Sequence, residues 1–169
     1  NCLECGTQLI LKKNVPALTI CGTYQLFGHY FKTFDGKEIR GISIFDLITV
    51  ASTKRKIGNV VIKINNVVNG LKPFTTNKNN KYTDFLVGFE NHSGNTYLNM
   101  KKEGQKWNSI PTTNKKNVVG GDFHIAPLGI VIKGFGNNGE DKTEGVITKN
   151  CIGTYLHGPI LPKNPGFAD

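Results

Sequence analysis

An apolar run that stops on a cysteine constrains this chain more than any other stretch: Pro16-Ala17-Leu18-Thr19-Ile20-Cys21-Gly22-Thr23-Tyr24-Gln25-Leu26-Phe27-Gly28. Leu18 to Ile20 read as a buried strand, and Gln25 to Phe31 has the apolar spacing to begin a helix, which puts Cys21 at a strand-to-helix turn. A thiol there lies beside the unpaired N–H groups and dipole of a helix N-terminus, which favour the thiolate. The amide of Gly22 points where an oxyanion would form. The nucleophile elbow of hydrolases has this geometry, with Gly two residues either side of the nucleophile. Here those positions are Thr19 and Thr23. On spacing alone two readings of Cys21 stay open, a buried structural cysteine, which is the commoner, and a nucleophile.

With 169 residues the chain has the length of one domain able to bury a real core. Its formal charge of +9 would suit an acidic partner, but the lysines are scattered among asparagines, as in Asn77-Lys78-Asn79-Asn80-Lys81 and Asn114-Lys115-Lys116-Asn117. That pattern reads as solvated loops. Without a clustered aromatic and Arg face it argues against nucleic-acid binding. No apolar run is long enough to cross a membrane and no basic-then-apolar signal opens the chain, so a cytoplasmic protein with reduced cysteines is expected. Cys2-Leu3-Glu4-Cys5 has the spacing of half a zinc ribbon, but no second such pair follows. No metal site is expected within this chain alone; one completed from outside it stays open.

Past the Cys21 turn the chain looks β-rich. Phe34-Asp35-Gly36-Lys37 is a hairpin signal between Tyr30-Phe31 and Ile39 to Phe45. Asn59 to Ile64, Phe85 to Phe89, Leu128 to Lys133, Gly145 to Thr148 and Cys151 to Leu156 are short apolar or alternating runs closed by Gly or Asn. The polar passages 65–82 and 99–123 read as surface insertions in a single domain over 1–169. Near the C-terminus His157 ends a strand and is held by Gly158 and Pro159, a usual place for a catalytic side chain on an α/β sheet. A cysteine at one strand end and a histidine at another could supply a thiolate and its general base. For His29 in the first helix, His92 in a Glu-Asn-His-Ser-Gly turn and His124 in an insertion, solvated or capping roles are expected.

The cysteine motif resembles that of the class I glutamine amidotransferases of the cobyric acid synthase type. Gly153-Thr154-Tyr155-Leu156-His157-Gly158-Pro159-Ile160-Leu161-Pro162-Lys163-Asn164 resembles the histidine motif of one branch, the amidotransferase subunits of lipid II isoglutaminyl synthases. Asp35-Gly36 with Gly41-Ile42, then Val87-Gly88-Phe89-Glu90-Asn91-His92-Ser93-Gly94, then Gly134-Phe135-Gly136-Asn137-Asn138 with Glu140-Asp141-Lys142, match that branch in order. The likeness runs from about Val15 to Asn164 apart from the two insertions.

The resemblance implies an α/β, flavodoxin-like class I amidotransferase fold. Cys21 would attack the side-chain amide of glutamine to form a thioester and release ammonia, His157 would move the protons and Gly22 would supply an oxyanion N–H. Arg55 matches an arginine used for substrate binding, and Gln25 matches a motif position near the thiol. Many class I enzymes place a glutamate two residues after the histidine, where this chain has Pro159; the resemblance to the isoglutaminyl synthase branch implies that an aspartate of the partner subunit completes the triad. Glu144 and Asp141 read as ordinary loop acids. The partner would be a Mur-ligase-like synthase that binds ATP and Mg and amidates the D-glutamate of lipid II stem peptides, in a heterodimer serving peptidoglycan synthesis. No cofactor is expected in this chain, and the membrane enters only through the lipid-linked acceptor.

Two departures temper this. The family has Gly where Thr23 stands, and it places several strands before the nucleophile strand, whereas twenty residues precede Cys21 here. The chain is therefore expected to lack the N-terminal strands of the fold. A non-catalytic module that only docks to a ligase and a cobyric acid synthase-type amidotransferase are the competing readings.

Overall fold

The computed structural model describes residues 10, 13, 15–64, 85–98, 125–148 and 150–168. Both expected insertions, Cys2, Cys5 and His124 lie outside the described residues. In chain order the described elements are β1 (Ala17–Ile20), α1 (Gly22–Leu26), β2 (Tyr30–Lys32), β3 (Glu38–Arg40), β4 (Leu47–Ile64), β5 (Phe85–Leu98), β6 (Gly129–Lys133), β7 (Thr143–Glu144), β8 (Val146–Thr148), β9 (Cys151–Thr154), α2 (Ile160–Lys163) and α3 (Pro165–Ala168). They make a strand-rich α/β fold of two sheets.

In the smaller sheet β1 lies parallel to β9, with Ala17 opposite Cys151 and Ile20 opposite Thr154, and β8 adds antiparallel on the other side of β9. The larger sheet runs β3-β2-β4-β6-β7, and β5 pairs with β4. The hairpin from β2 to β3 turns through Asp35 and Gly36, whose φ of 82° suits glycine, and Thr33 N–H closes it onto the Lys37 carbonyl at 2.9 Å. The helix expected from Gln25 to Phe31 is instead the short α1, already over at Leu26. The chain after it is claimed by β4: His29 N–H bonds the Leu47 carbonyl at 2.8 Å, and Phe31 and Lys32 pair with Thr49 and Val50. Aromatic residues that would serve either element take the strand when a partner strand is there to pair with. His29 therefore lies after the helix, with its ring between Ser43 and Asp46.

The strands β4 and β5 are far longer than the short runs expected there. They pair from Leu47 with Leu98 to Lys63 with Phe85, broken once by an irregularity between Ala51 and Lys56. Across it β4 advances five residues while β5 advances two, from Gly94 to His92. Such a bulge lets the extra residues leave the ladder and re-aims their side chains.

Among the described residues the core has two parts. Tyr24, Ile44, Phe45, Leu47, Leu98, Val146, Cys151 and Tyr155 pack around α1 and the smaller sheet. Val60, Ile62, Ile64, Leu86, Leu128, Leu156 and Ile160 pack between the β4–β5–β6 region and the chain after β9. Phe85, Val87 and Phe89 on β5, and Ile130 and Ile132 on β6 at the other side of β4, are exposed. Among the described residues no helix is long and apolar enough to cross a membrane.

Candidate active site

Cys21 directly follows β1, and its N–H bonds the carbonyl of Thr154, the last residue of β9, at 3.0 Å. Its backbone sits at φ 55° and ψ −115°, a conformation that L-residues adopt only under constraint and that marks the strand-to-helix turn of a nucleophile elbow. The elbow forms with threonines in place of the two flanking glycines. Thr19 is buried with its hydroxyl on the Ile152 carbonyl at 3.1 Å, and Thr23 is exposed. Since β1 and β9 are parallel neighbours, Cys21 and His157 leave the same end of the same sheet.

The thiol departs from expectation in its proton affinity. Burial pushes Cys21 above the usual thiol range, and the Gly22 N–H and the charge of Arg55 only partly pull it back. A helix of five residues offers little dipole to set against desolvation. Arg55 reaches this site from the β4 bulge; it is exposed, and its Nε donates to Asn91 Oδ1 at 2.8 Å. Gly22 opens α1, exposed, with open space where a side chain would stand. Gln25 is committed elsewhere: its Nε2 donates to the Tyr155 hydroxyl at 3.0 Å.

His157 is half-buried and tied to β5 by a two-way backbone bridge, its N–H on the Phe89 carbonyl at 2.8 Å and the Phe89 N–H on its own carbonyl at 3.2 Å. Its Nε2 is buried without a hydrogen-bond partner. Burial, and then the charge of His92, hold its pKa below the usual histidine value.

Three buried polar residues, Glu144, Glu90 and His92, hold this arrangement together. Glu144 is no loop acid: it is fully buried on β7 and accepts Tyr155 N–H at 2.6 Å and the Thr154 hydroxyl at 3.0 and 3.1 Å. Burial pushes its pKa up to about 8, against the pull of those bonds. Asp141 accepts from Thr143 and caps the loop. Glu90, fully buried on β5, takes the Phe135 and Gly136 N–H groups, one on each oxygen, at 2.7 and 2.9 Å. His92 does not sit in a turn. It is 4% exposed in mid-strand, and its ring stacks on Tyr155 with centroids 3.6 Å apart and planes 3° apart. Every even-numbered residue from Leu86 to Leu98 is buried, the phase opposite to the one the apolar Phe85, Val87 and Phe89 indicate, so no sequence signal marked Glu90 and His92 as interior.

The separate sequence motifs thus meet in space. Tyr24 on the elbow helix donates to Asn137 at 3.0 Å, Glu90 grips the Gly134–Gly136 turn, and Glu144 grips the strand that leads to His157. Among the described residues no group of His, Cys, Asp and Glu is arranged to hold a metal ion. The model of the CobB/CobQ-like glutamine amidotransferase domain matches residues 7–165. The chain belongs to this family.

Within the family, the chain is 39% identical over 159 residues to the lipid II isoglutaminyl synthase (glutamine-hydrolyzing) subunit GatD of Staphylococcus aureus, covering 94% of this chain and 49% of that protein. It is 34% identical over 152 residues to the subunit of the same name from Streptococcus pneumoniae, covering 89% of this chain and 44% of the relative. A cobyric acid synthase of Ruminiclostridium cellulolyticum is 25% identical over 166 residues, 92% of this chain and 26% of the synthase. The chain spans about half the length of the two GatD relatives it matches.

Proposed function

We propose that this chain carries the glutaminase centre of a glutamine amidotransferase subunit that delivers ammonia to a lipid II-amidating ligase. The observation that carries the reading is the strained Cys21 elbow on β1 beside the parallel strand that leads to His157. The higher identity to the two isoglutaminyl synthase subunits than to cobyric acid synthase supports the choice of acceptor.

In this reading Cys21 Sγ gives its proton to His157 and attacks the side-chain amide carbon of glutamine. The oxyanion that forms is met by the Gly22 N–H. His157 returns the proton to the amide nitrogen, the C–N bond breaks, and ammonia leaves a glutamyl thioester on Cys21. Water, deprotonated by His157, then attacks the thioester, giving glutamate and the free thiol. A neutral His157 is the form that accepts the first proton, and its lowered pKa keeps that form populated at neutral pH. Arg55 would receive the substrate α-carboxylate on the guanidinium nitrogens left free by the Nε bond to Asn91. Gln25, with its amide already on Tyr155, would brace the site.

Among the described residues no carboxylate bonds the His157 ring, and Glu144 is occupied by Thr154 and Tyr155. An aspartate from the ligase would complete the triad, so that ammonia is released only in the complex. That ligase, of the Mur-ligase-like type, would bind ATP and Mg and activate the D-glutamate carboxylate. The exposed apolar residues Phe85, Val87 and Phe89 on β5 support life as a subunit.

Ammonia release from glutamine by the natural full-length polypeptide, alone and with its ligase, tests the reading. Release that needs the ligase and vanishes in Cys21→Ala is expected, with a fall of about 10²- to 10⁴-fold in His157→Asn. Arg55→Gln should raise KM about tenfold with a smaller change in kcat. Binding of the two chains with no release under any condition would leave a docking module.

A further inference from the structure

The strained backbone of Cys21, at φ 55°, has to be held by its surroundings. Both of its backbone groups are engaged. Its N–H bonds the Thr154 carbonyl and its carbonyl accepts the Gln25 N–H, each at 3.0 Å. The circle is closed by side chains, because Gln25 Nε2 donates at 3.0 Å to the hydroxyl of Tyr155, the residue after Thr154. Cys21, Thr154, Tyr155 and Gln25 thus form a ring of three hydrogen bonds around the elbow.

The Tyr155 hydroxyl adds nothing to packing that a phenyl ring would lack. The aromatic ring stacks on His92 with planes 3° apart and meets Tyr24 edge-on with centroids 5.1 Å apart, and neither contact uses the oxygen. That oxygen lies 2.6 Å from Thr96 Oγ1, which in turn lies 2.8 Å from Thr49 Oγ1, and all three residues are fully buried. With the Gln25 amide donating, Tyr155 passes its one hydrogen to Thr96, and Thr96 passes its own to Thr49. Thr49 and Thr96 stand opposite each other on β4 and β5, so this chain of bonds ties the elbow to the larger sheet. Gly94 leaves room for the junction, since a Cβ there would stand 2.7 Å from both Gln25 Nε2 and Thr49 Cγ2. A five-residue helix such as α1 needs tertiary anchors of this kind to keep its direction.

We propose that Tyr155 is a positioning residue for Cys21: its hydroxyl, backed by Thr96 and Thr49, holds the Gln25 side chain and so fixes the angle at which α1 leaves the elbow, and with it the aim of the thiol and of the Gly22 N–H. The residue acts through Gln25 rather than on the reacting atoms. The inference rests on the reading of Cys21 as the nucleophile.

The test compares Tyr155→Phe, Gln25→Met and the double variant in the full-length polypeptide with its ligase. Each single variant should lower kcat for ammonia release about tenfold, with KM for glutamine changed less than about twofold, because what is lost is aim. The double variant should fall no more than about twofold below the weaker single one, as two links of one chain do. Hydrogen exchange supplies a readout that needs no turnover: the amides of Cys21 and Gln25 should exchange about tenfold faster in Tyr155→Phe, with those of β6 unchanged. An unchanged kcat, effects that multiply in the double variant, a rise in KM alone, or elbow amides that exchange at the parent rate would overturn the proposal. If Tyr155→Phe does not fold, Gln25→Met carries the same two readouts. An inactive wild-type complex would count against the proposed function, and the exchange rates would still decide whether Tyr155 holds the elbow.

Discussion

Cys21 is held in a backbone state that glycine would adopt more readily. A side chain at φ 55° and ψ −115° carries strain of about 1–3 kcal/mol, maintained by the Thr154 bond behind it and α1 ahead of it. Cys21→Gly should therefore melt higher than Cys21→Ala, by about 1 kcal/mol at the thermal midpoint, although both are inactive. The place of the thiol at a strand-to-helix turn was legible in the apolar run that ends on it. Its proton affinity was not, because desolvation outweighs the end of so short a helix. Since Arg55 is one of the groups holding that affinity down, Arg55→Ala should slow alkylation of Cys21 by iodoacetamide at neutral pH about two- to fivefold. Cys151, buried and pushed up to about 12, should stay unmodified in the native protein and serve as the internal control.

The element that most resisted reading is β5. Its outward residues Phe85, Val87 and Phe89 are apolar, while its buried phase includes Glu90, His92 and Thr96. Hydropathy alternation assigns the faces the other way round, which is why Glu-Asn-His-Ser-Gly looked like a turn. The polar groups are tolerated inside because backbone N–H groups, hydroxyls and the Tyr155 ring meet them: Thr96 bonds the Tyr155 hydroxyl at 2.6 Å and Thr49 at 2.8 Å. The contact of β5 with the His157 segment needs Gly88, so Gly88→Ala should destabilise by about 1–3 kcal/mol in a denaturant melt, through the displaced Leu156. Glu144 makes the joint between β7 and β9 sensitive to pH. Its folded-state pKa of about 8 lies above the ordinary glutamate value of 4.5, so the proton it keeps stabilises the fold fully below 4.5, and that contribution is lost as pH rises to about 8. Glu144→Gln, which can keep the bond from Tyr155 N–H, should gain in thermal midpoint relative to the parent on going from pH 5 to pH 8. A parallel pair of curves would contradict this.

Across the whole molecule, the order of the motifs and the α/β class were readable from the sequence, as were β1, the β2–β3 hairpin, and β6, β8 and β9. The contacts that assemble the site were not, because they join residues far apart in the chain through polar groups with no sequence period. Thr19 and Ile152, 133 positions apart, and Gln25 and Tyr155, 130 apart, meet only once β1 and β9 have paired. That pairing carries the central claim, that Cys21 is a nucleophile aimed at glutamine. The most direct measurement is mass-spectrometric mapping of the full-length protein with its ligase after treatment with a diazoketone analogue of glutamine, which leaves a stable thioether with loss of nitrogen gas. The account predicts one adduct, on Cys21, blocked by excess glutamine and absent from Cys151. Labelling that avoids Cys21, or that glutamine does not prevent, would contradict it.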